Sequence, residues 1–91
     1  MKYIVTWNIK PENYKEAVEI FLQNGAQAPD GVTILGRWHA LGSNHGWVLV
    51  EGDETGIATH IAEWSNLLEL SITPVFDDEQ AAASLSKVYG N

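Results

Sequence analysis

Cysteine is absent from the 91 residues of this chain. Its absence removes disulfides, thiolate nucleophiles and cysteine-ligated zinc together. Basic residues are nearly as scarce, five against twelve acidic ones, for a formal net charge of −7. They are Lys2, Lys10, Lys15, Arg37 and Lys87, scattered along the chain, and Arg37 is the single arginine. Nucleic acid and anionic membrane surfaces both require clustered Lys and Arg, so neither is expected as a partner. No apolar run approaches the roughly 20 residues of a membrane span, and Met1 to Asn8 lacks the apolar stretch of a secretion signal. A cytoplasmic location is the resulting expectation. There is no nucleophile elbow, P-loop or dinucleotide fingerprint. The histidines His39, His45 and His60 lack paired metal-ligand spacing, so no metal and no cofactor is expected.

What is present is apolar: 45% of the residues, enough to exclude disorder. The length fits one domain covering 1–91. A chain this short buries only about 60–65% of the surface it exposes when unfolded. A partner subunit would add to its stability by mass action.

Tyr3 to Ile9 is rich in β-branched and aromatic residues and reads as a strand. Pro11 opens a helix, where its missing N–H costs nothing, and Tyr14, Ala17, Val18 and Phe21 form one apolar stripe. Asn24-Gly25 stops it. After a loop, Gln27 to Gly31, the second strand runs from Val32 to Leu41. Gly42 to Gly46 has turn composition, and Trp47 to Glu51 returns as the third strand. Asp53 caps a second helix with Ile57, Ile61 and Trp64 on one face. Leu68, Leu70 and Ile72 alternate with polar residues in a fourth strand, which Pro74 assigns to a sheet edge. Asp77 and Gln80 have the spacing of a capping box, and Ala81, Leu85 and Val88 extend a last helix. The order βαββαβ plus a C-terminal helix predicts an α+β, ferredoxin-like domain with the first and third strands central.

The central strands carry a further implication. Trp47-Val48-Leu49-Val50 is apolar on both faces, and so is much of Tyr3-Ile4-Val5. Two helices cover one face of such a sheet, so the other needs a cover too. That face is roughly 300 Å². Hiding it is worth about 8 kcal/mol before association costs. A homodimer paired through the sheet face is the expected cover; the alternative is the C-terminal helix folding across it.

Arg37-Trp38-His39 is the most suggestive run for chemistry. Arg37 and His39 are two apart on a strand and share a face. Together they would suit a carboxylate or phosphate, or polarise a carbonyl. The competing and preferred reading is a solvated pair of Arg37 with Glu51. A three-residue turn, Ser43-Asn44-His45, sets Arg37 opposite Glu51; a four-residue turn sets it opposite Val50. His60, between Ile57 and Trp64, either reaches a cavity or marks the edge of the apolar stripe. Trp7, Trp38, Trp47 and Trp64 either line a pocket for a planar ligand or fill the core and an interface. The candidate ligand-binding set is Trp7, Arg37, Trp38, His39, His60 and Trp64. The catalytic candidates are Arg37, His39 and His60.

Lys2-Tyr3-Ile4-Val5-Thr6-Trp7, Leu35-Gly36-Arg37-Trp38-His39 and Pro74-Val75-Phe76-Asp77-Asp78-Glu79 together resemble a family of small bacterial proteins of unknown function. The resemblance covers nearly the whole chain. It extends to the dimeric α/β-barrel group, which includes cofactor-independent oxygenases, haem-degrading enzymes, isomerases and cyclases. The haem-degrading branch uses an Asn on the first strand and a His on the second helix. Asn8 and His60 fall in those elements, although the motif around them does not match. Three functions are therefore expected as alternatives: binding of a small organic or anionic molecule near Arg37, Trp38 and His39; an oxygenase, isomerase or cyclase; or an interaction module without a ligand.

Overall fold

In the computed structural model, which describes residues 1–90, β1 (Lys2–Ile9) lies at the centre of the sheet beside β3 (His45–Gly52). A 3₁₀ turn, Pro11–Asn13, leads into α1 (Tyr14–Asn24), followed by β2 (Val32–His39) and β3. After β3 come α2 (Glu54–Trp64), β4 (Leu68–Val75) and α3 (Asp78–Tyr89). The strand order is β2-β3-β1-β4 with antiparallel neighbours. This is the ferredoxin-like arrangement, and β4 is an edge as Pro74 implies. Pro74 lies opposite Tyr3 and β4 has a neighbour on one side only, so its missing N–H breaks no ladder.

The termini of the helices follow their sequences. Gly25, at φ +70°, ends α1, and its N–H returns to the Phe21 carbonyl. The Asp53 side chain accepts from the Gly56 N–H at the start of α2. Asp77 and Gln80 form a complete capping box at the start of α3.

The sheet has two unlike faces. On the helix side, Tyr3 and Val5 of β1, Val48 and Val50 of β3, Val32 of β2 and Ile57 of α2 form the core. Val50 is fully sealed. On the open side stand Ile4, Leu49, Trp47 and Trp38, the last two 42% and 59% exposed. α3 does not cover that face. Apart from half-buried Ala81 its residues are exposed, and it packs extensively on no other element.

Two differences from the sequence reading matter for the site. β2 stops at His39, because a turn closes there: Ser43 N–H donates to the Ala40 carbonyl at 2.8 Å, and Ala40 N–H to the His45 carbonyl at 2.9 Å. The loop is Leu41-Gly42-Ser43-Asn44, with φ +93° at Gly42 and +58° at Ser43. Second, β2 carries a bulge. Ile34 lies opposite Val50 but Gly36 opposite Leu49, leaving Leu35 without a partner.

The facing of β3 has a direct consequence. Val48→Lys, on the sealed side, is expected to lower unfolding free energy by about 3 kcal/mol or to prevent folding. Leu49→Lys, on the open side, should leave the chain folded. Urea titration of both variants checks this assignment.

Candidate functional site

Between α1, α2 and the sheet lies a cavity of ≈ 390 Å³. Its wall is chiefly apolar: Trp7 and Ile9 from β1, Val18, Phe21 and Leu22 from α1, and Trp64 from α2. Three polar side chains interrupt it: Arg37 and His39 from β2 and His60 from α2. Ser43 stands at the loop. Volume and wall both suit a small, largely apolar organic molecule.

Arg37 reaches the cavity because of the bulge. Past Leu35 the register puts Arg37 opposite Val48 and His39 opposite Gly46, both on the helix side. Trp38 then pairs with Trp47 on the other face. The expected pair with Glu51 therefore does not form: Glu51 lies opposite Thr33, and Arg37 is opposite neither Glu51 nor Val50. Both turn counts failed because the loop closes earlier in the chain than either assumed, at Ala40 and His45. Trp38 is likewise removed from the candidate binding set. Alternation puts it on the sheet face away from Arg37 and His39.

The guanidinium is held by the end of α1. One terminal nitrogen of Arg37 donates to the Gly25 carbonyl at 3.0 Å, the other to the Ala26 carbonyl at 2.7 Å. Gly25 and Ala26 both adopt positive φ, +70° and +47°, at this turn. No basic residue occupies the last turn of α1, so Arg37 supplies the cation that a helix C-terminus favours. Its carbon lies 5.9 Å from the Phe21 ring centroid. Burial lowers its pKa from the ordinary value, yet arginine retains its charge. No carboxylate pairs with it: the ion pairs among the described residues are Lys2–Asp77 and Lys15–Glu19. Two of its five N–H donors are satisfied by carbonyls, and three have no protein acceptor among the described residues.

His39, though exposed, lies beside two aromatic rings, 5.1 Å from Phe21 and 5.5 Å from Trp7 between centroids. His60 is 8% exposed, and its Nδ1 is sealed without a hydrogen-bond partner. Burial is the main cause that lowers its pKa below 6.5; Arg37 acts in the same direction and Glu63 against it. The ring is therefore neutral at pH 7. Of the sequence candidates, the fold thus assembles Trp7, Arg37, His39, His60 and Trp64. Sequence reasoning missed the Gly25 and Ala26 carbonyls. Asn24-Gly25 signalled the helix stop, but nothing marked Ala26 for a left-handed conformation.

The haem arrangement is not assembled. Asn8 pairs with His45 and Glu69 and follows cavity-lining Trp7, so it points to the open side. His60 lies on the helix side, and the sheet separates the two. Among the described residues no cluster of His, Asp and Glu is placed to hold a metal ion, and no helix is long and apolar enough to cross a membrane.

A ferredoxin-like sheet with a cavity under its helices and one arginine facing inward defines the architecture. Residues 1–89 match the family described as Domain of unknown function (DUF3303), and the chain belongs to that family. A solved structure from Deinococcus radiodurans, provisionally assigned as an antibiotic biosynthesis monooxygenase, is similar at 13% identity and a TM-score of 0.44. The match covers 84% of this chain and 92% of that one. No curated protein matches the chain.

Removing the guanidinium frees two carbonyls that water can reach. Arg37→Leu is expected to lose about 1 kcal/mol of stability, less than a fully buried charged hydrogen bond would cost. Glu51→Gln should change it by less than about 0.5 kcal/mol. Equal losses in the two variants by urea titration would restore the Arg37–Glu51 pair.

A second expectation concerns pH. The folded chain holds His60 below its unfolded pKa, so the unfolded state binds more protons as pH falls. The contribution of His60 is fully present above pH 6.5 and is lost as pH falls through the lower folded value. Chemical denaturation between pH 8 and 5 should show this loss, and His60→Phe should flatten it.

Proposed function

We propose that this protein binds a small, largely apolar organic anion in the cavity, with Arg37 as the anchor for its carboxylate, phosphate or phenolate oxygen. The observation that carries the reading is the combination at Arg37. It is the single arginine of an acidic chain, it faces an apolar cavity, and it has no carboxylate partner among the described residues. A partly desolvated guanidinium with donors to spare favours an anion with two oxygens, which it meets bidentately. Trp7, Phe21 and Trp64 supply flat walls for an aromatic frame. An interaction module without a ligand would have no use for such a cavity.

A catalytic role as oxygenase, isomerase or cyclase is the second reading. Arg37, His39 and His60 share one cavity, and a neutral imidazole beside a cation can stabilise an enolate or phenolate. Binding comes first in either case.

We also propose that two copies pair through the open sheet face. Trp38, Trp47, Ile4 and Leu49 supply its apolar surface, and α3 leaves it uncovered.

Thermal shift with a panel of aromatic carboxylates, phosphates and phenols tests the binding reading. At least one anion class should raise Tm in the wild type, and Arg37→Leu should abolish that response. A wild type indifferent to every compound contradicts the reading. Light scattering on a size-exclusion column tests the pairing: twice the 10.0 kDa chain mass is expected at micromolar concentration. Leu49→Lys should give a folded monomer. A wild type that runs as a monomer would end the dimer reading.

A further inference from the structure

His60 is a polar group that an anion held at Arg37 leaves unexplained. It lines the cavity, is 8% exposed, and carries a sealed Nδ1 without a hydrogen-bond partner. Helix α2 has eleven residues, and only Ile57 and His60 among them are buried. An imidazole is a costly choice for such a place unless one edge of it is used.

The two nitrogens have different situations. Nδ1 alone is buried without a partner, so Nε2 belongs to the accessible edge of this cavity-lining ring. Buried N–H groups lacking an acceptor are rarer than buried acceptors lacking a donor. Placing the single proton of the neutral ring on Nε2 leaves the sealed Nδ1 as an unpaired acceptor and not as an unpaired N–H. Burial and Arg37 favour a neutral ring, and Glu63 opposes them. The charged groups near it are the Arg37 guanidinium from β2 and Glu63 from α2 itself, and His39 of β2 lines the same cavity. The cavity side chains of α1 and β1 are apolar or aromatic, and no carboxylate lines the wall. The wall thus offers N–H donors from Arg37 and from His60, and no anionic acceptor competes for them.

We propose that His60 is the second recognition group of the cavity, donating Nε2–H to a neutral carbonyl oxygen, so that the ligand is an aromatic oxo-acid. Its carboxylate meets Arg37, its ketone oxygen meets His60, and its ring lies among Trp7, Phe21 and Trp64. This inference rests on the cavity being an anion site, and it adds a demand that a simple anchor would not make. A ligand with a carboxylate alone gives Nε2–H no partner. A ligand with a carboxylate and a ketone satisfies both groups.

Calorimetric titration with two matched pairs tests it: 4-oxo-4-phenylbutanoate against 4-phenylbutanoate, and benzoylformate against phenylacetate. Within each pair only the ketone oxygen differs. The wild type should bind the oxo member of at least one pair roughly tenfold more tightly, the effect of one hydrogen bond in a desolvated site. His60→Phe should still bind the acids but lose that preference. Arg37→Leu should lose both members. Arg37-dependent binding with no oxo preference, or a preference that survives in His60→Phe, overturns the role of His60 and leaves the anion site standing. Failure of the wild type to bind any of the four acids overturns the oxo-acid assignment, while the anion site itself stands or falls on the phosphates and phenols of the thermal-shift panel. A further measurement needs neither ligand nor variant. Long-range ¹H–¹⁵N NMR of the wild-type protein between pH 7 and 8 should show His60 protonated on Nε2; a ring protonated on Nδ1 contradicts the proposal.

Discussion

One unpaired residue in β2 decides where the single arginine points. Before Leu35 the strand is in register with Ile34 opposite Val50; after it, Gly36 is opposite Leu49. Had the first register continued, Arg37 would lie opposite Trp47 on the open face, and Trp38 would take its place under the helices. A shift of one residue exchanges the faces of every side chain that follows. The bulge therefore sends Arg37 and His39 into the cavity and Trp38 out of it. Gly36 belongs to the same device: a Cβ there would stand 2.5 Å from the Trp38 ring, so its absence gives the indole room to fold back on the open face.

The consequences reach beyond β2. Facing inward, Arg37 meets the end of α1, and the carbonyls of Gly25 and Ala26 fix its head group. His39, two residues on, lies beside Trp7 and Phe21 and so brings β2 into contact with β1 and α1. At Gly46, opposite His39, a Cβ would collide with the Trp7 ring. The missing side chain leaves room for the Trp7 ring over Gly46, where it forms a wall of the cavity. Cavity, cation and aromatic wall are thus products of one register choice and two glycines.

This explains which parts of the structure were legible in the sequence. Pro74 identified an edge strand, Asp53 and Asp77 marked helix starts, and alternation in Leu68 to Thr73 identified β4. Each of these signals is local, carried by the residue that obeys it. The pairing of Arg37 was not local. Its partner depended on the loop closing at Ala40 and His45, and Gly42 marked a turn without fixing which residues close it. Which face the earlier part of β2 presents depended on the skipped Leu35. The grouping of Trp38 with Arg37 and His39 was contradicted by alternation itself, since neighbours on a strand face opposite ways. His60 was visible only as a histidine beside an apolar stripe. Its meaning came from the sealed Nδ1 and the shared cavity, which are properties of the packing.

The central claim is that the bulge turns Arg37 inward onto the end of α1. Nuclear Overhauser contacts on a ¹⁵N/¹³C-labelled sample measure it most directly. The account predicts cross-peaks from the Arg37 side chain to the ring protons of Phe21, and from the Trp38 indole to Trp47. Cross-peaks from Arg37 to Glu51 or Trp47, with Trp38 contacting Phe21, would place the arginine on the open face and contradict it.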